Sequence, residues 1–190
     1  MNSLRPEPFI VAVDLHGTLI NSNDAFIKAF LKINKNLDRI SLEKRIYLKE
    51  SRQNIAKELG INYSRVISEY SKQTRINQKM VKLIKIFKNI GVPVIVITAS
   101  KGRRAYIDRK YLLKYFLPDD FIINIKNAKI DNKFWENLRK KFDSTFILYI
   151  GNDFEEDNIK SRNVISLLNS EYCNTKIPIL MASLNINGAV

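Results

Sequence analysis

The feature that most constrains the fold is a short apolar run, Phe9 to Val13, that ends in a carboxylate, Asp14. An unbroken apolar run of this length is typical of a strand buried on both faces, as in parallel sheets. Ligands of such sheets lie beyond the carboxyl ends of the strands, where we expect Asp14. A carboxylate there could attack phosphorus, bind a hard cation or cap the next helix, and this stretch alone does not separate these roles.

Strand-like and helical patterns alternate along most of the remaining chain. Four further strands are expected, at Val92–Ile97, Phe121–Ile125, Thr145–Ile150 and Val164–Leu168, with helical patterns between them. This alternation indicates an α/β fold, a Rossmann-like parallel sheet with flanking helices and right-handed crossovers.

The connection after the first strand is much longer than the others and shows only helical patterns. One helix is expected around residues 26–31, a second from Ser41 to Leu59 with Gly60 as its stop, and a third after Asn62. We therefore predict a core domain made of residues 1–22 and 76–190, with a small all-helical insertion of residues 23–75. The apolar stripes of these helices are interpreted as packing.

Composition limits the classes of site and partner. A single cysteine, Cys173, and a single histidine, His16, exclude an internal disulfide, thiolate-rich metal sites and histidine clusters. The net charge of +13 is compatible with nucleic acid as a partner, but the lysines are dispersed, as on solvated faces. No apolar run approaches the roughly 20 residues that span a bilayer, and the N-terminus lacks a signal-peptide pattern. We expect a soluble cytoplasmic protein that does not bind membranes.

Polar residues recur where the predicted strands end. Asp14, Thr98 and Asp153 supply a carboxylate, a hydroxyl and a second carboxylate at three separate strand ends. Because the carboxyl ends of parallel strands lie at one edge of the sheet, these groups favour a single assembled site over three separate helix caps.

Four segments, in order, resemble the motifs of the haloacid dehalogenase-like (HAD) superfamily, whose members are mostly phosphatases and phosphotransferases. DLHGT at Asp14–Thr18 resembles the first motif, DxDGT, and VIVITAS with Thr98 resembles the second. KIDNKFW with Lys129 resembles the third, and GNDFEED at Gly151–Asp157 resembles the fourth. The resemblance covers about residues 9 to 168 and implies a HAD-like core with a helical cap inserted after the first strand.

The resemblance also implies a Mg²⁺-dependent phosphatase in which Asp14 attacks phosphorus and water then hydrolyses the aspartyl-phosphate. Thr98 would hydrogen-bond the phosphoryl group and Lys129 would neutralise its charge, although Lys126 and Lys133 are nearby alternatives. The groups implied to bind phosphate belong to Leu15, Gly17, Thr18, Thr98, Ala99 and Lys129. Those implied to hold Mg²⁺, directly or through water, belong to Asp14, His16 (by its backbone carbonyl), Asn152, Asp153 and Asp157, although Asp157 could instead anchor Lys129.

His16 is the main departure from the family pattern, which has a second aspartate at this position. Imidazole can carry out acid–base chemistry near neutral pH, so His16 could protonate the leaving group and activate water. The alternative is a slow, specialised or catalytically lapsed member of the family.

Three functions remain open from the sequence. The cap position resembles that of members acting on small soluble phosphates, such as a nucleotide, a sugar phosphate or a phosphoglycolate-like acid. A polynucleotide end-phosphatase is suggested by the basic residues that follow Thr98, namely Arg103, Arg104, Arg109, Lys110 and Lys114. A non-catalytic protein that binds nucleic acid or a protein partner is the third. The sequence does not determine the oligomeric state.

Overall fold

Five parallel strands form the centre of the structure, a computed structural model that describes residues 8–99, 102–112, 119–123, 131–152 and 159–168. Within these ranges the strands are β1 (Phe9–Asp14), β2 (Val94–Thr98), β3 (Asp120–Ile123), β4 (Phe146–Gly151) and β5 (Val164–Leu168). The helices are α1 (Ser22–Ile33), α2 (Arg39–Tyr47), α3 (Arg52–Glu58), α4 (Tyr63–Gln73), α5 (Gln78–Asn89), α6 (Gly102–Leu112) and α7 (Asn132–Lys141).

The strand order is β3-β2-β1-β4-β5, and every pairing is parallel. The chain first builds the sheet outward from β1 through β2 to β3, and then returns to the other side of β1 with β4 and β5. This arrangement confirms the predicted parallel α/β sheet and places the topological switch point between β1 and β4.

Both faces of the sheet are covered, which explains why β1 is an unbroken apolar run. Val11 and Val13 point to one face, where they share a buried cluster with Phe87 of α5. Ile10 and Ala12 point to the other face and share a cluster with Trp135 of α7. Burying a valine or isoleucine side chain stabilises a fold by about 1.5–3 kcal/mol, so this strand is a main source of core stability.

Helices α1 to α4 follow β1 and build a buried cluster of their own, which includes Phe26, Phe30, Ile46 and Tyr70. Local sequence explains where three of them begin, because each is preceded by a residue that caps backbone N–H groups. These capping residues are Asp38 for α2, Ser51 for α3 and Asn62 for α4. The helical nature of this segment agrees with the sequence patterns, whereas the predicted domain boundaries stay predictions.

The single helix predicted from Ser41 to Leu59 is wrong. Helix α2 ends at Tyr47 and α3 begins at Arg52, since Lys49 has a left-handed φ of 59° that interrupts the helix. The Arg52 side chain secures the turn by donating to the carbonyls of Glu50 (2.6 Å) and Ile46 (3.0 Å). The apolar residues keep helical spacing within each helix, at Leu42 and Ile46 and at Ile55 and Leu59, but Ile46 and Ile55 are nine positions apart and do not fit one continuous helical face.

The helical segment leaves and rejoins the sheet at one place. The N–H of Asn21 donates to the carbonyl of Arg75 (3.1 Å), and the N–H of Arg75 donates to Oδ1 of Asn21 (2.6 Å). The N–H of Asn77 donates to the carbonyl of Leu19 at 2.9 Å. The two ends of the segment are therefore fastened to each other beside the carboxyl end of β1.

Among the residues that the structure describes, none of the helices combines the length and the apolar character required to cross a membrane.

Candidate functional site

Three predicted site residues lie together at the carboxyl edge of the sheet. Asp14 ends β1, Thr98 ends the neighbouring strand β2, and Asn152 directly follows β4 on the other side. Asp14 is 8% exposed, whereas the Thr98 side chain is completely buried. Asp14 and Asn152 also line the same cavity. The site therefore occupies the switch point between β1 and β4, where open α/β sheets bind ligands.

The loop after Asp14 turns back tightly, and Gly17 makes this possible. Gly17 has a φ of 87°, and a Cβ atom at this position would lie 2.4 Å from Nδ2 of Asn152. Thr18 donates from its hydroxyl to Oδ1 of the same asparagine at 3.2 Å. The loop after β1, which resembles the first motif, and the residue after β4, which belongs to the fourth, thus contact each other closely. No side chain would fit between Gly17 and Asn152.

The other residues of this loop contribute to packing and to backbone hydrogen bonds. The Leu15 side chain is fully buried in the core, and its N–H donates to the carbonyl of Ile97 at 3.2 Å. The N–H of Gly17 donates to the carbonyl of Ile20 at 2.8 Å. The predicted phosphate contacts of Leu15, Gly17, Thr18, Thr98 and Ala99 stay predictions.

His16 is held between two polar side chains. Its Nε2 lies 2.8 Å from Oδ2 of Asp108, and its Nδ1 lies 3.4 Å from Oγ1 of Thr98. A carboxylate accepts hydrogen bonds, so this contact favours the imidazole tautomer that carries its proton on Nε2. The ring is 20% exposed and lines the cavity that also contains Asp14.

Asp108 is the buried centre of this network. It is 0% exposed on α6 and accepts a second hydrogen bond, from the hydroxyl of Tyr70 on α4 at 3.0 Å. Burial raises the pKa of Tyr70, so this hydroxyl keeps its proton and remains a donor. A chain of hydrogen bonds therefore connects the helical segment, α6 and His16.

Sequence reasoning missed both Asp108 and Tyr70. Tyr70 was interpreted only as part of an apolar stripe, and nothing in that pattern distinguishes it. Asp108 did leave a signal, because it is the single acidic residue in the otherwise basic sequence of α6, Gly102–Leu112. An isolated carboxylate among arginines and lysines is a candidate for a specific internal partner.

A cavity of about 560 Å³ opens between the strand ends and the helical segment. Its sheet side is formed by Asp14, His16, Ala99 and Asn152. Its opposite side is formed mainly by the turn between α2 and α3 with neighbouring side chains, including Lys49, Glu50, Arg52, Tyr63 and Arg104. This volume lies within the range of about 300–1,000 Å³ that is usual for small-molecule sites.

Two arginines face the cavity from different elements. The guanidinium carbon of Arg104, on α6, lies 4.8 Å from the ring centroid of Phe26, and that of Arg52, on α3, lies 5.9 Å from the same centroid. Burial, followed by the positive charge of Arg104, lowers the pKa of Arg52. The helical wall of the cavity is consequently rich in positive charge.

Three predicted site residues, Lys129, Asp153 and Asp157, lie outside the described residues, and their roles stay predictions. In the ranges that the structure describes, no group of three or more His, Cys, Asp or Glu side chains could hold a metal ion. The donors that do line the cavity, the Asp14 carboxylate and the Asn152 amide oxygen, are the hard oxygen ligands that suit Mg²⁺. The donor set thus fits a magnesium site to which the acidic loop after Asn152 would contribute.

No family model and no curated protein matches the sequence. Solved structures do match. A hydrolase from Streptococcus pneumoniae TIGR4 is similar at 16% identity and a TM-score of 0.60, covering 95% of this chain and 99% of that one. A HAD-superfamily hydrolase of subfamily IA from Geobacter sulfurreducens PCA is similar at 13% identity and a TM-score of 0.61, with coverages of 88% and 89%.

A third solved structure, a HAD family hydrolase from Deinococcus radiodurans R1 with bound phosphate and sodium, is similar at 9% identity and a TM-score of 0.55. It covers 95% of this chain and 98% of that one. At these identities the likeness shows the fold, and the HAD-like fold implied by the four motifs is confirmed.

Proposed function

We propose that this chain, which has the fold of the HAD-superfamily hydrolases, is a Mg²⁺-dependent phosphatase that hydrolyses phosphate monoesters of small molecules. One observation carries the proposal: Asp14, at the switch point of the sheet, shares a cavity with a histidine whose imidazole is held by a buried carboxylate. The phosphate bound by the similar hydrolase from Deinococcus radiodurans adds support.

Asp14 would act as the nucleophile. Its carboxylate oxygen attacks phosphorus, the bond between phosphorus and the ester oxygen breaks, and the alcohol is released. Water then attacks the aspartyl-phosphate, which releases inorganic phosphate and restores the carboxylate. A phosphate dianion repels this carboxylate, so positive charge must offset the repulsion. Lys129 would supply part of that charge, as the sequence predicts.

The residues that would hold Mg²⁺ are Asp14 and Asn152, together with the predicted ligands Asp153, Asp157 and the backbone carbonyl of His16. When bound, Mg²⁺ supplies the Lewis acidity that neutralises charge on the phosphoryl oxygens. The contact between Thr18 and Asn152 supports this assignment, because it fixes the asparagine beside the first loop of the site.

His16 would exchange the proton that the reaction requires. In the first step its imidazolium donates a proton to the departing oxygen, and in the second step the neutral imidazole accepts one from water. Asp108 supports this role because it fixes the ring orientation. A histidine thus takes the place of the second aspartate of the family motif.

Helices α1 to α4 would form a cap over the site, corresponding to the predicted insertion of residues 23–75 in a core of residues 1–22 and 76–190. Their side chains form one wall of the cavity, and a closed wall excludes water and large substrates. This enclosure favours a small phosphate ester over a polynucleotide end, which would require the wall to open.

The test is phosphate release from a panel of phosphorylated metabolites and of 3′- or 5′-phosphorylated oligonucleotides, with Mg²⁺ present. We expect release from one or more small esters, and we expect it to fall to the level of a protein-free blank with a chelator or in Asp14→Asn. The exposed Asp143 provides the matched control, since Asp143→Asn removes a carboxylate that belongs to none of the four motifs and does not line the cavity. Release that persists in Asp14→Asn, or no release from any ester by the folded protein, would overturn the proposal.

A further inference from the structure

The helical wall of the cavity contains more positive charge than the transfer of a phosphoryl group explains. Arg52 and Arg104 both line the cavity and both lie over the ring of Phe26. Lys49, in the turn between α2 and α3, also lines the cavity. The catalytic groups that would handle the phosphoryl group, Asp14 and Asn152, belong to the opposite, sheet side. Arg52 and Asp14 thus line opposite sides of one cavity, so a ligand that meets Asp14 with its phosphoryl group can extend toward Arg52. Arg104 lies beside Asp108, the carboxylate that also contacts His16.

The acidic residues near this wall are held by other partners. Glu50 lines the cavity, but its Oε2 accepts from Nε of Arg45 at 2.7 Å, and this hydrogen bond is the main reason that its pKa is lowered. Asp108 accepts from His16 and from Tyr70. Both carboxylates thus have other hydrogen-bond partners, although Oδ2 of Asp108 also lies within ion-pair distance of Nε of Arg104, at 3.6 Å.

Arg104 is held in place and incompletely bonded. Its guanidinium stacks over the rings of Phe26 (4.8 Å) and Tyr70 (5.3 Å), which fixes its plane. In the part of the chain that the structure describes, its buried Nε has no hydrogen-bond partner, because the nearest carboxylate oxygen, Oδ2 of Asp108, is 3.6 Å away. A fixed guanidinium with an unused N–H donor is suited to bind an oxyanion by donating hydrogen bonds to it.

Arg52 is fixed by a different set of contacts. It donates to the carbonyls of Glu50 and Ile46 and to Oδ1 of Asn23 at 2.9 Å, so its charge is presented to the cavity from a rigid position. Burying two guanidinium groups near each other is unfavourable unless an anion compensates their repulsion. An anionic ligand between them would provide that compensation.

We propose that the substrate carries a second oxyanion, a carboxylate or a further phosphate, on the part that leaves, and that Arg52 and Arg104 bind it. This inference rests on the proposed phosphatase function and narrows its substrate class to small phosphate monoesters that carry a second, separated acidic group. The cavity of about 560 Å³ accommodates a ligand of this size.

The test compares three esters that differ in the second group: glycerol 3-phosphate, 3-phosphoglycerate and glycerol 1,3-bisphosphate. Their dissociation constants are measured by calorimetry with Mg²⁺ in Asp14→Asn, which prevents turnover. We expect at least one of the two esters with a second oxyanion to bind about tenfold or more tightly than glycerol 3-phosphate, since hydrogen bonds to charged groups are strong. The comparison of 3-phosphoglycerate with glycerol 1,3-bisphosphate shows whether the second group is a carboxylate or a phosphate.

Three variants are then added separately to this background. The preference is the dissociation constant of glycerol 3-phosphate divided by that of the tighter-binding ester with a second oxyanion. Arg104→Gln should reduce this ratio to near one, and Arg52→Gln should do the same. The control is Arg65→Gln on α4, which removes an exposed arginine away from the cavity and should leave the preference intact. Because Arg52 also secures the turn, Arg104→Gln carries the test if Arg52→Gln fails to fold.

Equal binding of the three esters would overturn the proposal, as would a preference that Arg65→Gln reduces as much as Arg104→Gln does. Turnover by the native protein separates this inference from the proposed function. Phosphate release without any preference would overturn the second-oxyanion site alone. A preference in binding without phosphate release would overturn hydrolysis while supporting the site.

Discussion

The imidazole of His16 and the carboxylate of Asp108 are 2.8 Å apart, although 92 positions separate them in the chain. Asp108 is completely buried, and its other oxygen accepts from Tyr70. Tyr70, in the helical segment, consequently holds the carboxylate of Asp108 in place, and α6 positions this carboxylate next to His16. Under the proposed function, in which His16 exchanges the proton, this arrangement would make Asp108 a positioning residue for His16.

Asp108→Asn should lower kcat for the best ester about 10- to 100-fold and change KM little. The expected loss is that of a residue supporting a functional side chain, because the amide retains the shape but no longer fixes the imidazole tautomer. The measurement is steady-state kinetics, with circular dichroism to confirm folding. Tyr70→Phe is the control for a purely structural effect, since it removes the other hydrogen bond to Asp108. An equal loss of kcat in both variants would contradict a specific role of Asp108 at His16.

His16→Asn should lower kcat about 10²- to 10⁴-fold, the usual contribution of a general acid–base group. Asparagine can retain a backbone carbonyl contact but cannot exchange a proton. The pH–rate profile of the variant should also lose a limb that the native profile shows. If the two profiles coincide in shape and height, His16 does not transfer protons and the assignment is wrong.

Gly17→Ala should damage both stability and activity, whereas Gly60→Ala should affect stability alone. Both glycines have positive φ, which costs an alanine about 1 kcal/mol. Only at Gly17 would the added Cβ also meet Asn152, at 2.4 Å, whereas nothing lies within 4 Å at Gly60. Urea unfolding and the Mg²⁺ dependence of phosphate release measure the two effects. A Gly17→Ala protein with native Mg²⁺ dependence would show that Asn152 does not hold the metal.

Acidification should remove the stabilisation that Glu136 provides. Its pKa is lowered mainly by a hydrogen bond from Arg139, and then by one from Asn163 at 2.9 Å. A carboxyl group with a lowered folded-state pKa stabilises the fold above its unfolded pKa, and this contribution disappears as the pH falls through the folded value. Glu136→Gln should therefore be less stable than the native protein at pH 7, with a smaller difference near pH 3. Urea unfolding at the two pH values measures this, and a difference that grows with acidification would contradict the assignment.

The sheet was predictable because each strand is predominantly apolar, and the unbroken apolar run of β1 shows this most clearly. The strand-end residues Asp14 and Thr98 were predictable for the same reason, since a polar residue that follows a buried apolar run lies at the carboxyl end of the strand. The break at Lys49 did leave a signal, since Ile46 and Ile55 are nine positions apart and cannot share one helical face. The contacts of the Arg52 side chain with two carbonyls, which secure the turn, could not be predicted from the sequence.

The partners of His16 were beyond sequence reasoning for a different reason. Contacts between residues far apart in the chain depend on how α6 packs against α4, and helical periodicity does not specify which residue of one helix meets which residue of another. Arg104 illustrates this limit. The sequence shows it only as one of several basic residues that follow Thr98, and its place in the cavity and its stacking over Phe26 depend on the packing of the helices.

The hydrogen bonds between Asn21 and Arg75 have a consequence for how this chain could vary in evolution. Once the two ends of an excursion are fastened together, the conformational entropy of closing it depends only weakly on its length, and each doubling costs about 0.6 kcal/mol. Helices α1 to α4 could therefore be lengthened or shortened with little thermodynamic penalty to the sheet. The strand end that carries Asp14 could be kept while much of the wall changes, as long as the hydrogen bond from Tyr70 to Asp108 is retained.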